Sequence, residues 1–196
     1  LAKDPKHVPF INLYPTYAPL WALGTSSYEE HVELYLKTVQ PKLLSYDHYA
    51  LVGDQERGDY FDNLEIIRRQ GLKYNTPFNY ILLSVPHTPY RDPSEADLRW
   101  QVNTALGYGA HGIMYFTYRT VLGTPWDFHN AILDAEGKRT PKYEQVKQIN
   151  AEVLRLAPTL LRLTSDAVYH TKPVPAGAVE LPADGIVSRI EGGEFV

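Results

Sequence analysis

The chain has 196 residues, is 44% hydrophobic and 21% charged, and carries 19 Lys and Arg against 23 Asp and Glu, a net charge of -4. That composition gives enough apolar mass for a core and no basic tract, which argues against a nucleic-acid or anionic-membrane surface. With no cysteine there can be no disulfide, thiolate metal site or cysteine nucleophile, and no apolar stretch reaches the roughly 20 residues of a membrane span.

Residues 8–13 form the first of four short runs rich in β-branched and aromatic residues and bounded by Pro, Gly or Asn. A helix is predicted over 27–39, where apolar residues recur every three or four positions and Ser26 or Ser27 can cap the start. The second strand is predicted at 42–46 and its helix at 60–74. The third strand falls at 78–85, followed by a helix at 93–106 with Asp92 as its N-cap before Pro93. The fourth strand is 112–118, and Thr140-Pro141 opens a helix over 141–156, proline sitting where the first turn tolerates it.

Repeated strand-helix alternation leaves an open doubly wound sheet or a closed barrel. No GxGxxG or GxxxxGK[ST] follows any strand, so the nucleotide-binding version has no support. After Leu163 the character changes. Residues 168–171, a Pro/Gly/Ala-rich link at 172–178 and short alternating runs at 185–196 read as the opening strands of a β-sandwich.

In a β/α barrel the chemistry gathers at the C-terminal ends of the strands. Reading those ends gives Asn12, Tyr14 and Tyr17; then Tyr46, Asp47, His48 and Tyr49; then Ser84 and His87; then Tyr115, Thr117, Tyr118 and Arg119. Asp47 is the one carboxylate placed directly at a strand end. It is either a partly desolvated general acid or a loop residue accepting hydrogen bonds from nearby amides. His48 and His87 either orient a substrate hydroxyl or are satisfied by backbone carbonyls.

The loop after the fourth strand carries Trp126, a stacking platform for a ligand ring or a plug that anchors the loop, and Asp127, a candidate second carboxylate. Fifteen tyrosines against six phenylalanines suit a sugar, whose ring offers an apolar C–H face and a hydroxyl rim. No HxH or HExxH spacing is present, so neither a metal nor another cofactor is expected.

The segments LLSYDHYAL (43–51), FDNLEIIRRQGL (61–72), FNYILLSVPH (78–87), RWQVNTALGYGAHGIMYFTYRT (99–120) and DAEGKRTPKYEQVKQINAEV (134–153) together resemble bacterial relatives of the family 42 β-galactosidases. The resemblance implies an α/β fold, the second half of a (β/α)8 TIM barrel, followed by the first strands of a C-terminal β-sandwich. On that expectation residues 1–163 belong to the barrel and 164–196 to a linker and the β domain, and the chain is cut at both ends. The four strands become the fifth to eighth of the barrel, the remaining half coming from the same or another chain.

The resemblance also implies a glycoside hydrolase acting by acid/base-assisted cleavage, exported to the periplasm or the extracellular space. Glycosidase barrels of the largest clan are expected to carry the acid/base after strand four and the nucleophile after strand seven. Here the seventh strand would end at Ser84 to His87, which has no acid, a departure from that pattern. An arrangement with carboxylates after strands four and six fits Asp47 as the acid/base instead, the second carboxylate lying in the missing half. Tyr14, Tyr46, His48, Tyr49, His87, Tyr118 and Trp126 are then expected to line the carbohydrate site.

The other reading is a barrel that binds carbohydrate or serves as a scaffold without cleaving anything, which the shortage of strand-end acids permits. A phosphate-binding barrel enzyme would want a Gly-rich anion nest and often a strand-end lysine, and neither is present.

Overall fold

A computed structural model describes residues 6–187. In chain order the elements are β1 (Asn12–Leu13), a one-turn helix α1 (Leu20–Leu23), α2 (Tyr28–Val39), β2 (Leu44–Asp47), the hairpin strands β3 (Leu51–Val52) and β4 (Gln55–Glu56), α3 (Tyr60–Lys73), β5 (Phe78–Leu83), α4 (Glu95–Gly107), β6 (Gly112–Phe116) and α5 (Pro141–Leu160). The four strands and four helices predicted over residues 8–156 are all present. The hairpin was not anticipated, although Gly53-Asp54 between two short runs is a turn signal and Gly53 takes a positive φ of 57°.

The main sheet is parallel throughout and runs in chain order, β1-β2-β5-β6. A doubly wound sheet would reverse its order at a switch point and carry helices on both faces. Here the side chains of one face, Leu13, Leu44, Tyr46, Phe78, Tyr80 and Leu82, join the helices in a single buried core, while Asn12, Asp47, Ile81 and Met114 on the other face lie outside it. Sequential order with a one-sided helix layer is the arrangement of part of a β/α barrel. Among the described residues, β1 and β6 pair on one side only.

Local sequence explains where the helices start. Ser27 caps α2 by accepting from the Glu30 amide, with Glu29 and Glu30 in the first turn to favour the positive helix end. The cap of α4 is Ser94 and not the predicted Asp92. Ser94 and Asp97 exchange hydrogen bonds in a capping box, which frees Asp92 to pair with Lys142. Along α3 the buried residues Tyr60, Phe61, Leu64 and Ile67 recur at helical spacing and join the core shared with the sheet, while the buried Arg68 turns to the segment after α5. Surface pairs tie helix to helix: Arg69 and Lys73 of α3 reach Glu29 and Glu33 of α2, and Arg99 of α4 pairs with Glu95 of its own helix and with Glu152 of α5.

The sandwich strands expected after Leu163 are replaced, up to residue 187, by an irregular strap whose one ladder contact is the His170–Glu180 bridge; the runs over 188–196 lie outside the described residues. The strap lies on α3 and α4. Arg68 donates to the carbonyls of Ser165 and Asp166, the His170 ring packs 4.7 Å from Phe61, and its Nε2 is 3.1 Å from the Tyr108 hydroxyl. Gly109 makes this approach feasible: its φ is +90°, and a Cβ there would stand 2.8 Å from that of Ser165.

Candidate functional site

The period-two alternation of a strand decides which strand-end residues reach the open face. The register aligns Asn12, Ser45, Asn79 and Gly112 in one layer, with Asp47, Ile81 and Met114 in the next layer toward the C-terminal ends. Those side chains share the inner face. Their neighbours Tyr46 and Tyr80 turn the other way, into the helices.

A chain of hydrogen bonds crosses the first layer and ends on Asp47, the one inward carboxylate among the described strands of the sheet. The Asn79 amide donates to Ser45 Oγ (3.0 Å), Ser45 Oγ donates to Asn12 Oδ1 (3.2 Å), and the Asn12 amide donates to Asp47 Oδ1. Bonds aligned head to tail polarise one another, and here the sequence of donors points at Asp47. Gly112 leaves the room this needs, since a Cβ on it would stand 3.2 Å from that of Asn79. Burial pushes the Asp47 carboxyl above its ordinary range, against the opposing effects of the Asn12 hydrogen bond and of His48.

Beyond the end of β5 a second group forms around His87. Its ring is surrounded by Tyr90 (4.8 Å between centroids), Phe128 (4.8 Å), Trp126 (5.9 Å), Phe116 (6.0 Å) and Tyr49 (6.1 Å). Tyr49 also stacks on Phe116 at 5.5 Å and feels the charge of Asp47, so it links the two groups. Its hydroxyl is pushed well above the ordinary tyrosine range, first by burial and then by that carboxylate.

The long loop between β6 and α5 is fastened at several points. Asp127 accepts from the Thr88 amide (2.7 Å) and hydroxyl (2.9 Å), which hold its carboxyl below the usual range. Asp127, offered by the sequence as a second catalytic carboxylate, is thereby committed to holding the loop. Farther along, Lys142 is only 4% exposed; it pairs with Asp92 and donates to the Asn130 carbonyl at 2.8 Å.

The sequence-predicted residues therefore divide. Asp47, Tyr49, His87 and Trp126 come together at the C-terminal ends of β2 and β5. Tyr46 does not belong with them: it is fully buried on the helix side, its ring 5.4 Å from Tyr80. His48 is likewise fully buried, between Tyr17 and Tyr60, with Nε2 3.2 Å from Asp59 Oδ1. Burial pushes Asp59 up, but the hydrogen bonds from His48 and from Thr16 prevail and hold it at about 2.

Tyr14 and Tyr118 stand exposed at opposite edges, Tyr14 beside His31 of α2 and Tyr118 at the rim of an apolar groove beyond β6. Phe116, Phe128 and Tyr90 were missed as partners of His87, although the aromatic pair Trp126 and Phe128 in one long loop was a legible signal. Among the described residues no three carboxylates or imidazoles converge as a metal site, and no helix is long and apolar enough to cross a membrane.

Among solved structures, the fold is similar to the β-galactosidase from the psychrophilic Marinomonas ef1, with a TM-score of 0.54 and 16% identity over 79% of this chain and 24% of that one. It is similar also to the polyextremophilic β-galactosidase from the Antarctic haloarchaeon Halorubrum lacusprofundi, with a TM-score of 0.53 and 17% identity over 82% of this chain and 23% of that one. The chain thus spans about a quarter of the length of either enzyme, and at these identities the likeness is one of fold. No curated protein matches it. The family model Glyco_hydro_42, described as Beta-galactosidase, matches residues 35–156, which include α3, α4, the strands β2 to β6 and most of α5. On that match the chain belongs to the Glyco_hydro_42, or Beta-galactosidase, family.

Proposed function

We propose that this chain supplies the acid side of a glycosidase site, with Asp47 protonating the oxygen of the departing sugar as the glycosidic C–O bond breaks. The observation that carries this is the placement of Asp47: an inward carboxyl at a strand end, pushed up by burial and anchored through one oxygen by Asn12. An amide donor on Oδ1 leaves Oδ2 to carry the transferable proton. Glycoside hydrolysis ordinarily requires a second carboxyl, either as nucleophile or as base for a water. Further β/α units, continuing the sheet beyond the open edges of β1 and β6, would provide it. Support for such units comes from the apolar groove of about 580 Å³ beside β6, lined by Met114, Tyr118, Ile132, Val146 and Leu154.

Asp47→Asn is the direct test. Turnover of an aryl β-galactoside should fall by about a hundredfold or more with the near-UV spectrum unchanged, the scale expected for loss of a general acid. Unchanged turnover removes Asp47 from the chemistry. One observation favours a second reading, a barrel that binds sugar without cleaving it: the end of β5, where the clan's nucleophile is expected, holds the buried Ser84 and no carboxylate. Saturable sugar binding with no hydrolysis would select that reading.

A further inference from the structure

We infer that Ser45, Asn79 and Met114 are positioning residues: together they hold Asn12 with its amide N–H, and not its carbonyl, toward Asp47, and so decide how readily that carboxyl parts with its proton. This deepens the reading of Asp47 as the acid, and the measurement below separates the two.

The path crosses all four strands of the sheet. It starts at Met114 on β6, passes through Asn79 on β5 and Ser45 on β2 to Asn12 on β1, and returns to Asp47 on β2. Its direction is fixed at the far end. The Met114 thioether has lone pairs and no proton, so the part of Asn79 that meets it at 3.4 Å is the N–H end of the amide. The other hydrogen of that group goes to Ser45 Oγ at 3.0 Å. A hydroxyl has one proton to give, and with Ser45 Oγ receiving from Asn79 it is given to Asn12 Oδ1 at 3.2 Å. Asn12 is thereby left with its oxygen on Ser45 and its N–H end on Asp47. Asn12 itself is exposed, on a strand of two residues, whereas Ser45 and Asn79 are buried. The orientation of the exposed amide is held by the two buried residues behind it.

The two ends of an amide act oppositely on a carboxyl. The N–H end favours the ionised form, as Asn12 does for Asp47; a carbonyl in its place would repel the carboxylate and accept from the protonated acid. Of the titratable groups around Asp47, His48 also favours ionisation, while burial raises the phenols of Tyr17, Tyr28, Tyr46 and Tyr49, which stay neutral beside it. The orientation of one amide is thus a control on Asp47 that is separate from burial.

The test is an NMR titration of the purified protein, isotope-labelled at its aspartate carboxyls, with the Asp47 signal assigned by its loss in Asp47→Asn. Ser45→Ala lets the Asn12 amide turn, and the Asp47 midpoint should rise by about one pH unit, the scale of one hydrogen bond to a charged group. Ser45→Thr restores the hydroxyl and should bring the midpoint back. Met114→Leu, at a 40% exposed position where the fold is not threatened, releases the direction of the whole path and should raise the midpoint by less. In an Asn12→Ala background no amide is left to orient, so Ser45→Ala should add nothing there, whereas a merely structural role for Ser45 would add its effect unchanged.

An unmoved midpoint in folded Ser45→Ala overturns the inference, as does a shift that persists undiminished in the Asn12→Ala background. If Ser45→Ala does not fold, Met114→Leu decides, and an unmoved midpoint there overturns the inference. The alkaline limb of kcat/KM for an aryl β-galactoside should move up with the midpoint. If that limb stays in place while the midpoint moves, or if Asp47→Asn keeps full turnover, the acid assignment falls and the positioning role stands.

Discussion

The two faces of the parallel sheet are made by alternate residues of the same strands, yet they obey different rules. On the helix side Leu44, Tyr46, Tyr80 and Leu82 are fully buried in one apolar core, and the Tyr46 hydroxyl is left without a hydrogen-bond partner. On the inner side Asn12, Ser45, Asn79 and Asp47 are joined by hydrogen bonds from donor to acceptor, and Met114 remains 40% exposed. Apolar packing is concentrated on one face and the polar network on the other. A residue's parity along the strand therefore says more about its role than its nearness to the strand end.

The largest expected effect breaks the helix-side face. Tyr80→Ala removes a fully buried ring and its 2.7 Å hydrogen bond to the His48 carbonyl, and should cost about 3–5 kcal/mol in urea unfolding. Ile81→Ala, one residue on and half-buried on the inner face, should cost less than about 2 kcal/mol. Equal losses would show that the inner face is packed as tightly as the outer one.

Next is the loop clamp. Lys142→Met removes the charge that burial disfavours and Asp92 compensates; because Asp92 is 43% exposed and regains water, the loss should be about 1–2 kcal/mol. Faster proteolysis between residues 119 and 134 should accompany it.

Asp47→Asn sharpens the comparison through pH. Because burial raises the Asp47 pKa, the native state holds that proton more tightly than the unfolded chain does. The resulting stabilisation is complete below the ordinary value of 3.8 and is lost as pH rises through the raised folded value. At neutral pH the wild type thus bears the cost of an ionised, desolvated carboxylate that Asn avoids. The variant should melt higher at pH 7, with the gain fading toward pH 3. A variant less stable at pH 7 would mean that the Asn12 contact outweighs burial. The smallest effect belongs to the surface: Arg69→Ala, breaking an exposed pair with Glu29, should change stability by no more than about 0.5 kcal/mol.

Much of this was readable in the residues. The four strands, the four main helices, the Ser27 cap and the strand-end position of Asp47 all follow from hydrophobic period and capping chemistry. What misled was treating Tyr46, Asp47, His48 and Tyr49 as one cluster, when a strand sends consecutive side chains to opposite faces and buries Tyr46 and His48. Asp92 looked like a cap because it precedes Pro93, but Ser94 with Asp97 satisfies the helix end better, and the buried ammonium of Lys142 needed a counter-charge that only the fold could bring. The gathering of Tyr90, Phe116, Trp126 and Phe128 on His87 joins three separate loops and strand ends, and no local pattern reports it.

The strap has a kinetic consequence. Each β/α unit closes through contacts between neighbours in sequence, whereas Arg68 meets Ser165 across 97 residues of chain. Closing a loop of that length exacts its entropy before any contact returns it, so the strap should be the last segment to settle during folding and the first to open. Amide exchange in 164–187 should then report a local opening well below the global unfolding free energy, and the Tyr108 hydroxyl, the Phe61 ring and the α3 surface would be bared in that state while the sheet stays intact.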